Sequence, residues 1–182
     1  MQRKPQVSLR PAGTADEPLL HDLFGQGRRE ALVAAGLAER EIELLVELER
    51  RAQDACHRES FPDSDNLIVE ADGVPAGRLL LERRAGEIRI VDIVVLGEHR
   101  GRGICSRVLR MLQAEAAFAQ KVVGLRIEAG SPVQRVFEEH GFRAVAADEE
   151  FVELAWEAGT RRIRPAKRRG HRRMRGGGRR TA

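Results

Sequence analysis

Apolar and polar residues alternate along the chain in blocks whose period changes from one block to the next. Residues 7–12, "VSLRPA", have the pattern of a first strand. Leu19, Leu20, Leu23 and Phe24 recur at helical spacing, with Thr14 or Asp16 ahead of them as an N-cap. Glu39 to Ser60 form a long helical pattern with Ile42, Leu45, Val46 and Leu48 as its apolar stripe and Glu and Arg on the outer face. Cys56 falls inside it as a small residue, and Pro62 with the polar "PDSDN" ends it. Leu67–Ala71 and Gly77–Arg83 flank Asp72-Gly73, a hairpin signal. A turn near Ala85-Gly86 leads into the strand "EIRIVDIVVL", Glu87 to Leu96. A glycine-rich turn follows, then a helix from about Gly103 to Gln120 and the strand "VVGLRIEA". "SPVQRVFEEHGF" has the marks of a short helix, with Ser131 as cap, Pro132 in the first turn and Gly141 as the stop. Strands near Phe142–Ala146 and Glu150–Trp156 close the pattern. A meander followed by βαβα and β predicts an α/β domain with a mixed sheet, antiparallel at its start, and helices on its faces. There is no internal repeat.

Length and composition narrow this picture. The 182 residues suffice for one domain, expected over residues 1–159. No apolar run approaches the ~20 residues of a membrane span, so no membrane contact is expected. The start lacks a signal peptide's apolar segment. Two cysteines, Cys56 and Cys105, are too few for a disulfide framework, which makes a reducing cytoplasm the expected setting. Residues 161–182 carry 11 of the 32 basic residues and no acid. The rest therefore holds 21 basic and 28 acidic residues, a net of −7 (21 − 28). The acidic body would suit a cationic partner, although net charge is a weak guide to a specific site. The tail, residues 160–182, has too few apolar groups to offset its ordering entropy and is expected to be disordered. Weak, salt-dependent contact with nucleic acid or the ribosome through residues 161–182 is a further expectation. With no aromatic residue to stack on bases, such contact would not read sequence. Comparing the full chain with a 1–159 truncation on labelled RNA at two salt concentrations tests it, and equal retention would remove the idea.

The chemistry concentrates in "VDIVVLGEHRGRGICSRVLRMLQAEA", residues 91–116. A glycine turn between a strand and a helix offers an anion the unpaired N–H groups and positive dipole end of that helix. A nucleotide P-loop needs GxxxxGK[ST], which the chain lacks. A dinucleotide fingerprint needs GxGxxG, and position 106 is Ser. The pyrophosphate loop of an acyl-CoA transferase is the third reading.

Arg100, Gly101, Arg102, Gly103 and Ile104 resemble the signature loop of the GCN5-related N-acetyltransferases, Arg/Gln-x-x-Gly-x-Gly/Ala after a strand. "SPVQRVFEEHGF" resembles that family's second segment, Asn-x-x-Ala-x-x-Leu-Tyr-x-x-x-Gly-Phe, and follows the loop at the usual separation. The resemblance covers roughly residues 7–156. It implies a mixed, mostly antiparallel central sheet, splayed at a bulge in the strand before the loop, with helices on both faces. It also implies acetyl-CoA as co-substrate, an unidentified primary amine as acceptor, direct attack in a ternary complex, and a monomer or homodimer. By this match Ile93, Val94 and Val95 contact the pantetheine arm. The amides of Arg100, Gly101, Arg102, Gly103, Ile104, Cys105 and Ser106 cradle the pyrophosphate, with charge from Arg100 or Arg102. Ser131 and Phe137 stand beside the cofactor. No metal is implied.

Asp92 and Glu128 are the first candidates for the general base, with Glu87 third and His99 and His140 as titratable neighbours. Asp92 lies between Val91 and Ile93 and faces away from both. The chain departs from the family pattern at four places. Phe137 replaces the tyrosine that often protonates the leaving thiolate, and no tyrosine exists elsewhere. Gly130-Ser131 replaces the Asn, Gly97 replaces a proline, and Cys105 occupies a position built for Gly or Ala. A thiol of pKa about 8.5 leaves tolerably as thiolate, so losing the tyrosine is expected to slow catalysis rather than abolish it. The alternative is a weakened family member that binds acyl-CoA and regulates. Cys105→Gly is expected to bind acetyl-CoA at least as tightly as the natural protein.

Overall fold

Asp72 and Gly73 both take positive φ, 55° and 80°, the two-residue turn that matches the twist of a hairpin. The turn joins β2 (Ser64–Ala71) to β3 (Val74–Arg83) in a computed structural model that describes residues 4–159. β1 (Val7–Pro11) pairs with β2, and β4 (Glu87–Val95) pairs with β3, all antiparallel. β5 (Val122–Glu128) lies parallel to β4, and β7 (Phe151–Trp156) and β6 (Arg143–Ala147) follow antiparallel. The result is a seven-stranded, mostly antiparallel sheet in the order β1-β2-β3-β4-β5-β7-β6. The tail and the expectations attached to it lie outside the described residues.

The helices are α1 (Glu17–Ala34), α2 (Glu39–Ser60), α3 (Ile104–Ala119) and α4 (Gln134–Glu139). α3 places Ile104, Val108, Leu109 and Leu112 on the sheet face that carries Leu79, Leu81, Ile88 and Ile90, and this is the main core. α1 and α2 cover the opposite face and pack together through Leu32, Ile42 and Val46. Among the described residues, no helix is long and apolar enough to cross a membrane.

Four local expectations need correction. β2 starts at Ser64, not Leu67, because Arg78 donates to Asn66 Oδ1 at 2.8 Å and Arg83 pairs with Asp65. A polar stretch becomes a strand when its neighbour supplies the partners. Leu48 is not part of the buried stripe and is 53% exposed. Asp16 stands at the N-cap of α1 but makes no side-chain cap. Its carboxylate instead accepts from the Gly13 amide and pairs with Arg10 at 2.7 Å. That guanidinium holds the carboxyl down to about 2. Ser131 likewise caps nothing with its side chain: α4 begins only at Gln134, with Val133 at its N-cap.

Candidate active site

The site is built by one extra residue. Leu80 faces Asp92 and Leu81 faces Ile90, so Val91 has no partner on β3 and forms a bulge. The bulge changes the parity of β4. Ile88 and Ile90 face α3, and after Val91 it is Ile93 and Val95 that pack on the same core. Asp92 and Val94 are thereby turned toward α1 and α2, where both line a pocket. β4 also leaves β5 here: the parallel pairing runs from Glu87–Val122 to Ile90–Leu125 and stops. Beyond it the two strands diverge and an open cleft of about 320 Å³ lies between them. Val91, Asp92 and Ile93 form one wall, Leu125 to Ile127 another, and Cys105, Val136 and Phe137 close the side toward α3 and α4.

The glycine loop sits at one end of this cleft. Leu96 donates to Ala76 O at 2.9 Å, and the Gly97 amide donates to Gln26 Oε1 at 2.8 Å, which ties the loop to both β3 and α1. Gly101 and Gly103 have φ of 72° and 77°, a region that disfavours side chains. A Cβ built on either would meet no atom within 4 Å, so the space over the loop is open. The first helical bond of α3 is Arg107 N–H to Gly103 O at 3.2 Å, which leaves the amides of Ile104, Cys105 and Ser106 at the helix end. No acid stands in this first turn. The loop therefore offers open space beside backbone N–H groups and the positive end of a helix dipole. Arg102 is turned to His99, 3.0 Å away, and lies 3.9 Å from Asp72. Arg100 donates its Nε to Val95 O at 3.2 Å and lines the pocket on the α1–α2 side.

That pocket, about 240 Å³, is roofed by Leu20, Leu23 and Phe24 of α1 and by Arg50, Gln53 and Asp54 of α2. Asp54 joins two guanidiniums, Arg50 at 2.9 Å and Arg78 at 3.3 Å. Asp92 lies on the floor. Burial pushes its carboxyl above the usual range, and the charges of Arg78 and His57 and the Ile93 amide pull the other way without winning. His57 Nδ1 is buried and has no hydrogen-bond partner among the described residues. Asp92 belongs to both cavities, the cleft and the pocket. A half-buried carboxyl with a raised pKa, placed where two cavities meet, has the setting that proton transfer requires.

Residues 33–142 match the family model described as the acetyltransferase (GNAT) family. The chain belongs to that family. No curated protein matches the sequence significantly. Among solved structures, an acetyltransferase from Thermus thermophilus is similar with a TM-score of 0.61 at 18% identity, covering 86% of this chain and 100% of its own. The PaiA N-acetyltransferase of Thermoplasma acidophilum, solved with coenzyme A, gives 0.58 at 15%, covering 84% and 99%. The ribosomal-protein-S18-alanine N-acetyltransferase of Escherichia coli gives 0.54 at 14%, covering 91% and 99%. At these identities the likeness is one of fold.

Within this GNAT domain the candidate residues separate. Phe137 is 4% exposed, lines the cleft and stacks edge-on to Phe142 with centroids 5.5 Å apart. Cys105 is half-buried on the cleft wall, and burial raises its thiol pKa, against the tendency of a helix N-terminus. Glu128 is exposed near the end of β5 and lines neither cavity. Glu87 pairs with Arg84 and Arg89 at the end of β4 that is still joined to β5. His140 Nδ1 lies 2.7 Å from Val136 O at the end of α4. The sequence reading missed Arg50, Asp54, His57 and Arg78. Arg50, Asp54 and His57 recur at helical spacing on α2, a signal hidden among the many other charged residues of that helix.

Proposed function

We propose that the protein is an N-acetyltransferase that moves an acetyl group from acetyl-CoA to a primary amine by direct attack in a ternary complex. One observation carries this reading: Asp92 is shared by a cleft on the loop side of β4 and a pocket on the α1–α2 side. The residues present fit the co-substrate, since the backbone at Gly101 and Gly103 is open where a Cβ would intrude. When bound, acetyl-CoA supplies the activated acetyl thioester.

In this proposal the amides of Gly101 to Ser106 hold the pyrophosphate, with the dipole of α3 behind them; the Arg100 amide, expected to join them, already donates to Gly97 O at 3.1 Å. The splayed backbone of Ile93 to Val95 bonds the pantetheine arm, and a backbone N–H of that strand polarises the thioester oxygen. The acceptor enters from the α1–α2 pocket. Asp92, once ionised, takes the proton that the amine nitrogen loses as its bond to the acetyl carbon forms, directly or through one water. Phe137 offers no proton, so the sulfur leaves as thiolate. The same reading places the enzyme in a cytoplasmic setting.

Calorimetry with acetyl-CoA and a thiol-release assay over a panel of amines test the proposal together. Binding with turnover of at least one amine supports it. Binding without turnover on any amine replaces it with an acyl-CoA-binding regulatory role, to which the buried Phe137 lends weight. Three variants probe the cleft. Gly103→Ala forces a side chain into the left-handed region and is expected to weaken acetyl-CoA binding by roughly tenfold, about 1.4 kcal/mol. Phe137→Tyr restores a phenol at the cleft wall and is expected to raise kcat. An unchanged kcat would show that thiolate departure does not limit the rate. Cys105→Ala keeps the first turn of α3 and removes the sulfur, so acetyl-CoA should bind at least as tightly by calorimetry. A clear weakening would assign the thiol a role in binding.

A further inference from the structure

We infer that the acceptor is zwitterionic, a small primary amine that also carries a carboxylate. The inference rests on the N-acetyltransferase reading above and concerns the pocket under α1 and α2. Five charged side chains line that pocket: Arg50, Asp54, Arg78, Asp92 and Arg100. Three of them satisfy one another or their neighbours. Arg50 bonds Glu47 at 2.9 Å and Asp54 at 2.9 Å, while Arg78 bonds Asn66 at 2.8 Å and lies 3.3 Å from Asp54. The other two are left over. Asp92 has no ion pair among the described residues, and Arg100 spends its Nε on Val95 O and has no acidic partner among them.

The leftover charges have opposite sign and stand on one wall. Asp92 and Val95, whose carbonyl holds Arg100, are three positions apart on β4, a span of about 10 Å at ~3.3 Å per residue. Asp92 is half-buried, where a charge without a salt-bridge partner is unfavourable, whereas Arg100 is exposed and keeps its terminal guanidinium nitrogens for an anion. A ligand that brings an amine to Asp92 and a carboxylate to Arg100 satisfies both, the second through the two-pronged geometry that guanidinium offers a carboxylate. Leu20, Leu23 and Phe24 line the pocket and suit a short methylene chain. A polyamine would set its second cation against Arg100. A simple monoamine would leave Arg100 unmatched. The charges that line the pocket, rather than the −7 of residues 1–160, thus select the acceptor.

Three matched probes test this: 5-aminopentanoate, pentylamine and 1,5-diaminopentane. Each is titrated by calorimetry into the full-length protein saturated with CoA, so that the result does not depend on turnover. The inference expects 5-aminopentanoate to bind at least tenfold more tightly than either of the others. Arg100→Gln should bring the ratio of 5-aminopentanoate to pentylamine affinity toward one, and Arg100→Glu should shift preference to the diamine. Equal affinities in the natural protein, tighter binding of the diamine, or a ratio that survives Arg100→Gln would each overturn it. Turnover measured on the same samples reports on the acetyltransferase reading alone. Selective binding without product would remove that reading and leave the selectivity of the pocket standing.

Discussion

Asp92→Asn is expected to lower kcat by about 10²–10⁴-fold, the usual contribution of a general base, while making the protein more heat-resistant at neutral pH. Both effects come from one cause. Burial raises the Asp92 carboxyl pKa in the folded state. In acid, below the ordinary Asp value of about 3.9, the group is neutral whether the chain is folded or not, and it costs no extra stability. As pH rises, the unfolded chain gives up this proton first, and the folded state falls behind until the raised pKa is passed. Stability tied to the neutral carboxyl is thus present at low pH and lost as pH climbs. Asn removes that dependence. A gain of about 1 kcal/mol would appear as roughly 2–4 °C in Tm for a domain of this size. The difference between variant and natural protein should shrink toward zero near pH 4. Activity of the natural protein should rise with pH through the same window, since the base must be ionised. Thermal scans and kcat/KM at matched pH values check both. If the variant retains full kcat, or if its Tm advantage is independent of pH, Asp92 is not the base described here.

Gly77→Ala should act on the fold and the cleft together. Gly77 lies on β3 opposite Val95, and a Cβ there would come within 2.3 Å of Val94 O and 3.2 Å of Val95 Cα. Both neighbours are backbone atoms, so β4 itself has to move. Overpacking of this kind costs about 1–3 kcal/mol, roughly 2–12 °C in Tm. The segment displaced is Val94–Val95, which the proposed mechanism assigns to the pantetheine arm, so acetyl-CoA affinity should fall with stability. Gly73→Ala supplies the control. Its φ of 80° makes alanine strained, yet no atom stands within 4 Å of its Cβ position and the turn is outside both cavities. It should lower Tm and leave acetyl-CoA affinity unchanged. Equal loss of affinity in both variants would mean that global destabilisation, rather than the position of β4, governs binding.

Local chemistry made much of this domain legible in advance. Asp72-Gly73 announced the hairpin because two adjacent positive-φ residues suit few other turns. The turn ahead of α3 was visible because glycine at set positions marks a strand-to-helix turn, and Gly101 and Gly103 take the positive φ that such a turn requires. α3 was found to within a residue at each end, since its apolar stripe repeats without interruption. The failures have equally local causes. Ser131 had the composition of a cap, but the chain turns twice more before α4 begins. Leu48 was read into the stripe of α2, but six positions after Ile42 it stands about 120° round the helix from it and is largely exposed. Ser64 to Asn66 looked like a loop because the residues that hold them, Arg78 and Arg83, lie on the next strand.

The family, the loop and the order of the elements were determined by the sequence itself, because each depends on residues within a turn or two of one another. The face to which Asp92 turns was decided by tertiary structure. Strict alternation from Ile88 and Ile90 would send Asp92 into the α3 core, and only the pairing with β3 leaves Val91 unmatched and turns the carboxyl to the other side. The same holds for the pocket charges. Asp54 and Arg78 are 24 positions apart and meet because α2 and β3 line the same pocket. A bulge and a long-range ion pair are relations between elements, and neither leaves a periodic mark on the chain that makes them.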